Sequence, residues 1–322
     1  MFQVKDTQLE LNVEPLLKGM SNAKPFLKWA GGKRQLLSQF NALYPKELAE
    51  NRIKNYYEPF LGGGAVFFDI VQRFNIESAY LYDINRELVL TYQVIQRDVT
   101  KLLTELEIFE KSYKSINEEE RKTFYYSVRD KFNKQRFDFD YDSYTDSWVA
   151  RAAQILFLNK TCFNGLFRFN SKGAFNSPQG NYKNPKILDE ENLLNVSEVL
   201  QVATIKRADF REMLNDMSDK HSFVYFDPPY KPISKTANFT AYSRFGFEDD
   251  EQLQLAALYQ KLDTKGVKLM LSNSDLKNTD LSNNFFDNLY ESFNITRVQA
   301  KRFINSNPNK RNAIDEIVVT NY

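Results

Sequence analysis

The residues with the clearest chemical capacity are Asp227, Pro228, Pro229 and Tyr230, which directly follow the apolar run Phe223-Val224-Tyr225-Phe226. Four apolar residues closed by a breaker predict a buried strand, so the carboxylate emerges at a strand's C-terminal end. In open α/β sheets, ligands bind beyond that edge. Each proline fixes φ and removes a backbone donor, which leaves a stiff stretch with accepting carbonyls. Together these groups suit a flat heterocycle bearing an exocyclic amine. Asp227 and the Pro228 carbonyl can accept its N–H bonds, and Tyr230 can stack on its face. The competing reading is a plain turn, since Asp-Pro pairs commonly start one.

A second set of residues suits a nucleotide. Glu58-Pro59-Phe60-Leu61-Gly62-Gly63-Gly64 follows an apolar run and opens a helical pattern at Ala65. Gly62 and Gly64 let the backbone approach a ligand closely, and the helix start offers unpaired N–H groups. Phe67 stands where a dinucleotide fingerprint has its third glycine, and no Lys-Ser/Thr pair follows, so neither that fingerprint nor a P-loop is present. Asp83 ends the next apolar run, 19 residues after Gly64. An acid there bonds ribose hydroxyls in nucleotide-binding folds; capping the next helix is the other role open to it. Asp209 and Phe210 close a third run and offer an acid and a ring to an adenine moiety, or again a cap. Lys24 to Arg34 holds four cations, a glycine pair and Trp29. Trp29 can pack against a cofactor there, and Lys33 can reach a carboxylate or phosphate.

These groups need a frame that brings strand ends together. Strand-like runs at 56–60, 79–83, 203–208, 223–226, 267–272 and 317–320 alternate with helical patterning at 65–74, 86–95 and 249–262. That alternation predicts an α/β fold with a mostly parallel sheet. Between about 90 and 200 it stops. The spacing there predicts helices at 99–112, 118–132 and 148–158, followed by a loop rich in Asn, Gly and Lys. The expected organisation is a poorly ordered extension at 1–23, a catalytic domain built from 24–88 and 200–322, and an inserted domain at 89–199.

Composition narrows the classes. A chain of 322 residues with 42% hydrophobic and 26% charged content is that of a globular protein with a well-buried core. No run is long enough for a membrane span and no basic-apolar leader opens the chain, so a cytoplasmic location is expected. One cysteine, Cys162, excludes an intramolecular disulfide; with one histidine, His221, it also argues against structural zinc, and no metal is expected. The net charge of +1 hides an uneven distribution. No acid occurs from Ser147 to Leu188, where Arg151, Lys160, Arg168, Lys172, Lys183 and Lys186 stand. None occurs from Ser292 to Ile314, which holds Arg297, Lys301, Arg302, Lys310 and Arg311. The stretch from Lys231 to Phe247 carries only Lys231, Lys235 and Arg244. Such segments, interleaved with aromatics, point to a polyanion-binding face. A solvated loop set that happens to lack acids is the alternative.

The pieces also occur in a familiar order. Phe26-Leu-Lys-Trp-Ala-Gly-Gly-Lys33, Glu58 to Gly64, Asp83, Asp209-Phe210 and Phe226-Asp-Pro-Pro-Tyr230 resemble the adenine-N6 DNA methyltransferases of the Dam type, the D12 class. So do Leu158 to Arg168, Gly173 to Pro178, Tyr182 to Pro185 and the closing Glu316 to Tyr322, which extends the likeness over about residues 24–322. The resemblance implies a Rossmann-like methyltransferase sheet that uses S-adenosyl-L-methionine, with an inserted helical and loop-rich domain that reads double-stranded DNA. It implies donor contacts at Trp29, Lys33, Asp83 and Asp227, with the Phe60–Gly64 turn beside them. It also places Phe163, Asn164, Leu166, Arg168 and Pro178 at the bases, commonly of GATC, and Lys183 belongs to the same acid-free stretch. The family's Asn-Val-Pro-Phe/Tyr-Gly-Arg-Tyr stands here as Asn176-Ser-Pro-Gln-Gly-Asn-Tyr182, and loss of that arginine can remove a phosphate contact or alter base choice.

The implied reaction is methyl transfer to N6 of a flipped adenine, with Asp227, Pro228 and Tyr230 as the catalytic groups. A bacterial or phage-encoded enzyme working at the nucleoid is expected, alone or beside a separately acting restriction endonuclease. Two rivals are an amino methyltransferase for RNA or protein glutamine, and an inactive DNA-binding specificity subunit. Cytosine-C5 chemistry would need a thiolate, and Cys162 lies away from any predicted strand end without a preceding proline.

Overall fold

The apolar runs become strands of one seven-stranded sheet. The computed structural model describes residues 22–170, 172–215, 217, 220–231, 247–300 and 314–322. Among them the strands are β1 (Asn55–Glu58), β2 (Ser78–Asp83), β3 (Ala203–Arg207), β4 (Ser222–Phe226), β5 (Lys268–Ser274), β6 (Asn294–Ala300) and β7 (Ile314–Thr320). Their spatial order is β3-β2-β1-β4-β5-β7-β6. The first five are parallel, and β7 runs antiparallel between β5 and β6. Every residue of β4 is buried, as the continuous apolar run of a central parallel strand requires. Chain order reverses between β1 and β4, and such a switch point opens a crevice beyond the strand ends. Tyr57 lies opposite Val224 in that pair, so Glu58 and Asp227 both leave the sheet into the crevice.

The described helices are α1 (Leu37–Phe40), α2 (Lys46–Ala49), α3 (Ala65–Arg73), α4 (Arg86–Lys114), α5 (Glu118–Gln135), α6 (Asp146–Thr161), α7 (Glu190–Val199), α8 (Asp249–Asp263) and α9 (Phe285–Leu289). The stretches read as separate helices at 86–95 and 99–112 are one helix, α4, bent at Asp98 (φ −135°, ψ 42°). The Tyr144 hydroxyl donates to the Asp98 carboxylate at 2.5 Å and holds the bend. The first part of α4 buries Leu88, Tyr92 and Ile95, and its far part buries Leu102, Leu106 and Tyr113. Gln93 and Gln96 bond the carbonyls of Ile205 and Ala203, which ties the helix to β3. The boundary expected at 88/89 therefore falls inside α4. One apolar cluster continues from Tyr225 and Met270 to Phe157 and Phe175, so the proposed reading unit shares its core with the sheet.

Three expectations change. Strand β6 was not foreseen, because it is an edge strand with Asn294, Thr296, Arg297 and Gln299 exposed and little apolar signal. Arg151 does not face a polyanion. Its side chain is wholly buried, with Nε 3.0 Å from Glu87 Oε2, Nη2 2.5 Å from Glu87 Oε1, and Nη1 donating to the Phe132 carbonyl at 2.7 Å. Arg297 is likewise held by Asp275 (2.7 Å) and Asp287 (2.8 Å). Lys235, Arg244, Lys301, Arg302, Lys310 and Arg311 lie outside the described residues, as does the expected extension apart from Asn22 and Ala23. No described helix is long and apolar enough to cross a membrane.

Candidate active site

A cleft of about 2360 Å³ opens over the C-terminal ends of β1, β2 and β4. It exceeds the ~300–1,000 Å³ of an ordinary small-molecule site, so it has room for two ligands at once. Trp29, Lys33, Gly62, Asp83, Phe210 and Asp227 all line it.

Asp227 leaves β4 on its floor. The buried Lys33 ammonium lies 2.8 Å from Asp227 Oδ1 and donates to the Gly31 carbonyl at 2.7 Å. The Ser272 hydroxyl, on β5, meets the same Oδ1 at 3.3 Å and pairs with the Tyr225 hydroxyl at 2.7 Å. Tyr230 is half-buried, with its ring under the Lys33 ammonium at 4.5 Å and its hydroxyl donating to Glu316 Oε2. Pro228 is buried and Pro229 exposed. Burial pushes the Asp227 carboxyl up to about 6, against the Lys33 ammonium, which pulls it down. Glu58, at the end of β1, accepts the Tyr56 hydroxyl at 2.7 Å. Burial holds its carboxyl well above the ordinary range, and the neighbouring Asp227 charge adds to that. Two acids whose carboxyls burial pushes upward thus share one pocket.

The glycine turn has a geometry that only bare backbone permits. Gly62 and Gly64 adopt left-handed φ of 48° and 66°. A Cβ on Gly62 would sit 3.0 Å from the Trp29 ring, and one on Gly64 2.7 Å from the Tyr92 hydroxyl. The Gly62 N–H donates to Asp83 Oδ2 at 3.0 Å, and the Asn85 N–H donates to Asp83 Oδ1 at 2.8 Å. The cap of α4 is Asn85, whose side chain accepts from Glu87 and Leu88. The capping alternative for Asp83 is thereby excluded. Asp209 differs: it accepts from the Arg211 N–H at 3.0 Å and pairs with the Arg211 guanidinium at 2.9 Å, which is a cap. Phe210 stacks on Phe60 with centroids 5.4 Å apart, and Phe247 meets both rings edge-on or tilted. The three rings form one apolar wall.

The loop that follows α6 is an irregular hairpin. Its arms meet at the bridges Cys162–Gln179 and Phe169–Phe175, and the Phe163 N–H donates to the Pro178 carbonyl at 2.8 Å. Phe167 and Phe175 pack on Phe132 of α5 and on each other, and Phe169 packs on both of them. Asn133 bonds both backbone groups of Phe175, at 2.8 and 3.0 Å. Outward from this anchored base, Phe163 (52% exposed), Asn164, Arg168, Pro178 and Lys183 are exposed and Leu166 is half-buried. These six are therefore assembled on or beside one hairpin, and none of them lines the cleft that holds Asp227. Gln179, at the departure from the family pattern, turns inward to the Tyr113 hydroxyl at 2.8 Å. Cys162 is fully buried, and burial pushes its thiol up to about 12, so it is no nucleophile.

Sequence reading did not single out Glu58, Glu316 or Phe247 as site residues. Glu58 carried the same signal as Asp83, an acid closing an apolar run. Glu316 and Phe247 carried none, because their partners are distant in sequence. Among the described residues no cluster of three or more His, Cys, Asp or Glu could hold a metal.

A family model described as D12 class N6 adenine-specific DNA methyltransferase matches residues 29–304. The chain is 52% identical to the Type II methyltransferase M.MjaIII of Methanocaldococcus jannaschii, covering 93% of this chain and 99% of that protein. It is 38% identical to the Type II methyltransferase M1.LlaDCHI of Lactococcus lactis subsp. cremoris, over 95% and 98%. It is also 32% identical to the DNA adenine methylase of Escherichia coli K12, over 93% and 95%.

Proposed function

The chain belongs to the D12 class of N6 adenine-specific DNA methyltransferases, and from that premise we propose that it transfers methyl from S-adenosyl-L-methionine to N6 of an adenine flipped out of duplex DNA, within GATC. The residues of the cleft suit this donor. The bare Gly62–Gly64 turn admits close approach, Asp83 has lone pairs for ribose hydroxyls beyond its two backbone bonds, the Phe60–Phe210–Phe247 wall suits an adenine face, and Lys33 suits a carboxylate. Asp209 serves this wall as a cap beside Phe210 rather than through its own contact. When bound, S-adenosylmethionine supplies a methyl group on a sulfonium.

The protein's own part is to bind, orient and polarise. Flipping the base costs a few kcal/mol, and Tyr230 offsets part of it by stacking. Lys33 and Ser272 both meet Asp227 Oδ1, so we assign Oδ2 and the Pro228 carbonyl to the two amine protons. Accepting both favours a pyramidal nitrogen with its lone pair free to attack, without a covalent enzyme intermediate. The hairpin residues Phe163, Asn164, Leu166, Arg168 and Pro178 select the site, and Lys183 adds a phosphate contact. The enzyme works in the cytoplasm at the nucleoid, alone or beside a cognate endonuclease that acts separately.

The observation that carries this reading is the Asp227 carboxylate at the switch point, paired to Lys33 and flanked by Tyr230. The test is expression in a methylation-deficient host followed by single-molecule sequencing of its DNA. N6-methyladenine at GATC is expected. Methylation of another adenine site keeps the chemistry and removes GATC, whereas cytosine methylation or none refutes the reading.

A further inference from the structure

Glu316 is an acid in an unfavourable place. It stands on β7, 7% exposed, in register with Ser274 of β5 and Val298 of β6, directly before the buried Ile317, Val318 and Val319. A carboxylate there loses hydration, and buried charges persist only when paired or hydrogen-bonded. Replacing such a group by an apolar residue is often neutral or stabilising, so packing alone does not call for it. Its side chain reaches the cleft. Oε2 accepts the Tyr230 hydroxyl and lies 4.0 Å from the Lys33 ammonium, whose other contacts are Asp227, Gly31 and the Tyr230 ring.

We propose that Glu316 is a positioning residue for methyl transfer: from β7 it holds the Tyr230 hydroxyl, fixing the ring that stacks on the target base, and it shares the Lys33 ammonium with Asp227. The inference rests on the function proposed above. Tyr230 follows two prolines on a segment that leaves the sheet, so its backbone is stiff but its ring needs an anchor. The neighbouring strand supplies one through a charge-assisted bond. Lys33 has three N–H donors, and Glu316 draws it toward Tyr230. Without Glu316 the ammonium settles more firmly on Asp227 and competes with the incoming amine.

The test uses single-turnover methylation of duplex DNA carrying the site found by sequencing. Glu316→Gln is expected to slow transfer tenfold or more, while the same change in a Tyr230→Phe background costs less than threefold further, since groups acting through one another are not additive. The groups facing Asp227 are Lys33 from the loop, Glu58 from β1, Tyr225 from β4, Tyr230, and Glu316 from β7, with Ser272 from β5 as a neutral hydroxyl. Glu316→Gln removes one negative neighbour, so the acid limb of the rate–pH profile moves to lower pH, a shift that a purely structural role would not give. Glu316→Asp keeps the charge and withdraws the oxygen, so it slows transfer and leaves the limb in place. A wild-type rate in Glu316→Gln, or its full tenfold loss repeated in the Tyr230→Phe background, overturns the proposal. If Glu316→Gln does not fold, judged by S-adenosylmethionine titration of Trp29 fluorescence, a wild-type rate in Glu316→Asp overturns it instead. A wild-type protein that methylates no DNA refutes the underlying reading and this inference with it.

Discussion

Asp227 answers two demands that oppose each other. To accept amine protons in the proposed reaction it has to be ionised, yet burial raises its carboxyl from 3.8 to about 6. Transfer is therefore expected to hold above pH 6 and to fall as pH drops through that value, as a single-turnover rate–pH profile would reveal. Stability runs the other way. A carboxyl whose folded pKa exceeds its unfolded one stabilises the fold below the unfolded value and loses that contribution as pH rises through the folded value. Keeping Asp227 ionised at pH 8 thus costs the fold up to about 3 kcal/mol. Asp227→Asn is expected to raise the thermal midpoint at pH 8, to leave it near wild type at pH 4, and to cut transfer by at least ~10³-fold. An unchanged midpoint at pH 8 would count against the raised carboxyl. Asp227→Ala is expected to abolish transfer while cofactor and DNA binding stay measurable, and near-normal turnover would sink the catalytic assignment.

At the scale of elements, the hairpin after α6 depends on side chains outside it. Asn133 bonds both backbone groups of Phe175, so Asn133→Ala leaves two buried groups unpaired at a cost of roughly 1–3 kcal/mol each. Because the lost bonds fall on one segment, discrimination between the recognised site and a one-mismatch duplex is expected to weaken, together with a lower thermal midpoint. The ratio of kcat/KM on the two duplexes measures it. The same scale explains what the chain disclosed. Strand-end acids such as Asp83 and Asp227 were legible because a short apolar run and its breaker are neighbours in sequence. The helices at 118–132 and 148–158 were legible from periodicity, and α5 and α6 contain them. The continuity of α4 was hidden, because a bend held by Tyr144 leaves the same local pattern as a loop. Edge strand β6 was hidden by its polar face. Arg151 and Arg297 were misread because composition counts charges without saying which are paired. Glu316 stayed silent because its partners lie 86 and 283 residues away in the chain.

For the whole molecule, the Arg151–Glu87 pair joins α6 to the start of α4, with the Tyr141 hydroxyl on the same carboxylate at 2.5 Å. Both partners are buried, so Arg151→Met alone strands a charge and is expected to cost roughly 3–5 kcal/mol in urea unfolding. Adding Glu87→Leu is expected to recover much of that, and a double variant no better than the single would argue against the pair as the cause. DNA affinity, by contrast, is expected to depend on surface charge: Lys183→Ala should lower the salt slope of binding by about 1 while preserving site preference. Helix α4 adds a constraint of another kind. It starts three residues beyond Asp83 and, bending once at Asp98, travels ~43 Å at 1.5 Å per residue to Lys114, next to the Tyr113 that holds Gln179. Among the described residues, no seam separates the cleft proposed to hold the donor from the hairpin proposed to meet the bases. A chimera joined at residue 88 cuts a helix mid-turn, so on the proposed function a new sequence preference is reached by substitutions within the hairpin rather than by swapping modules.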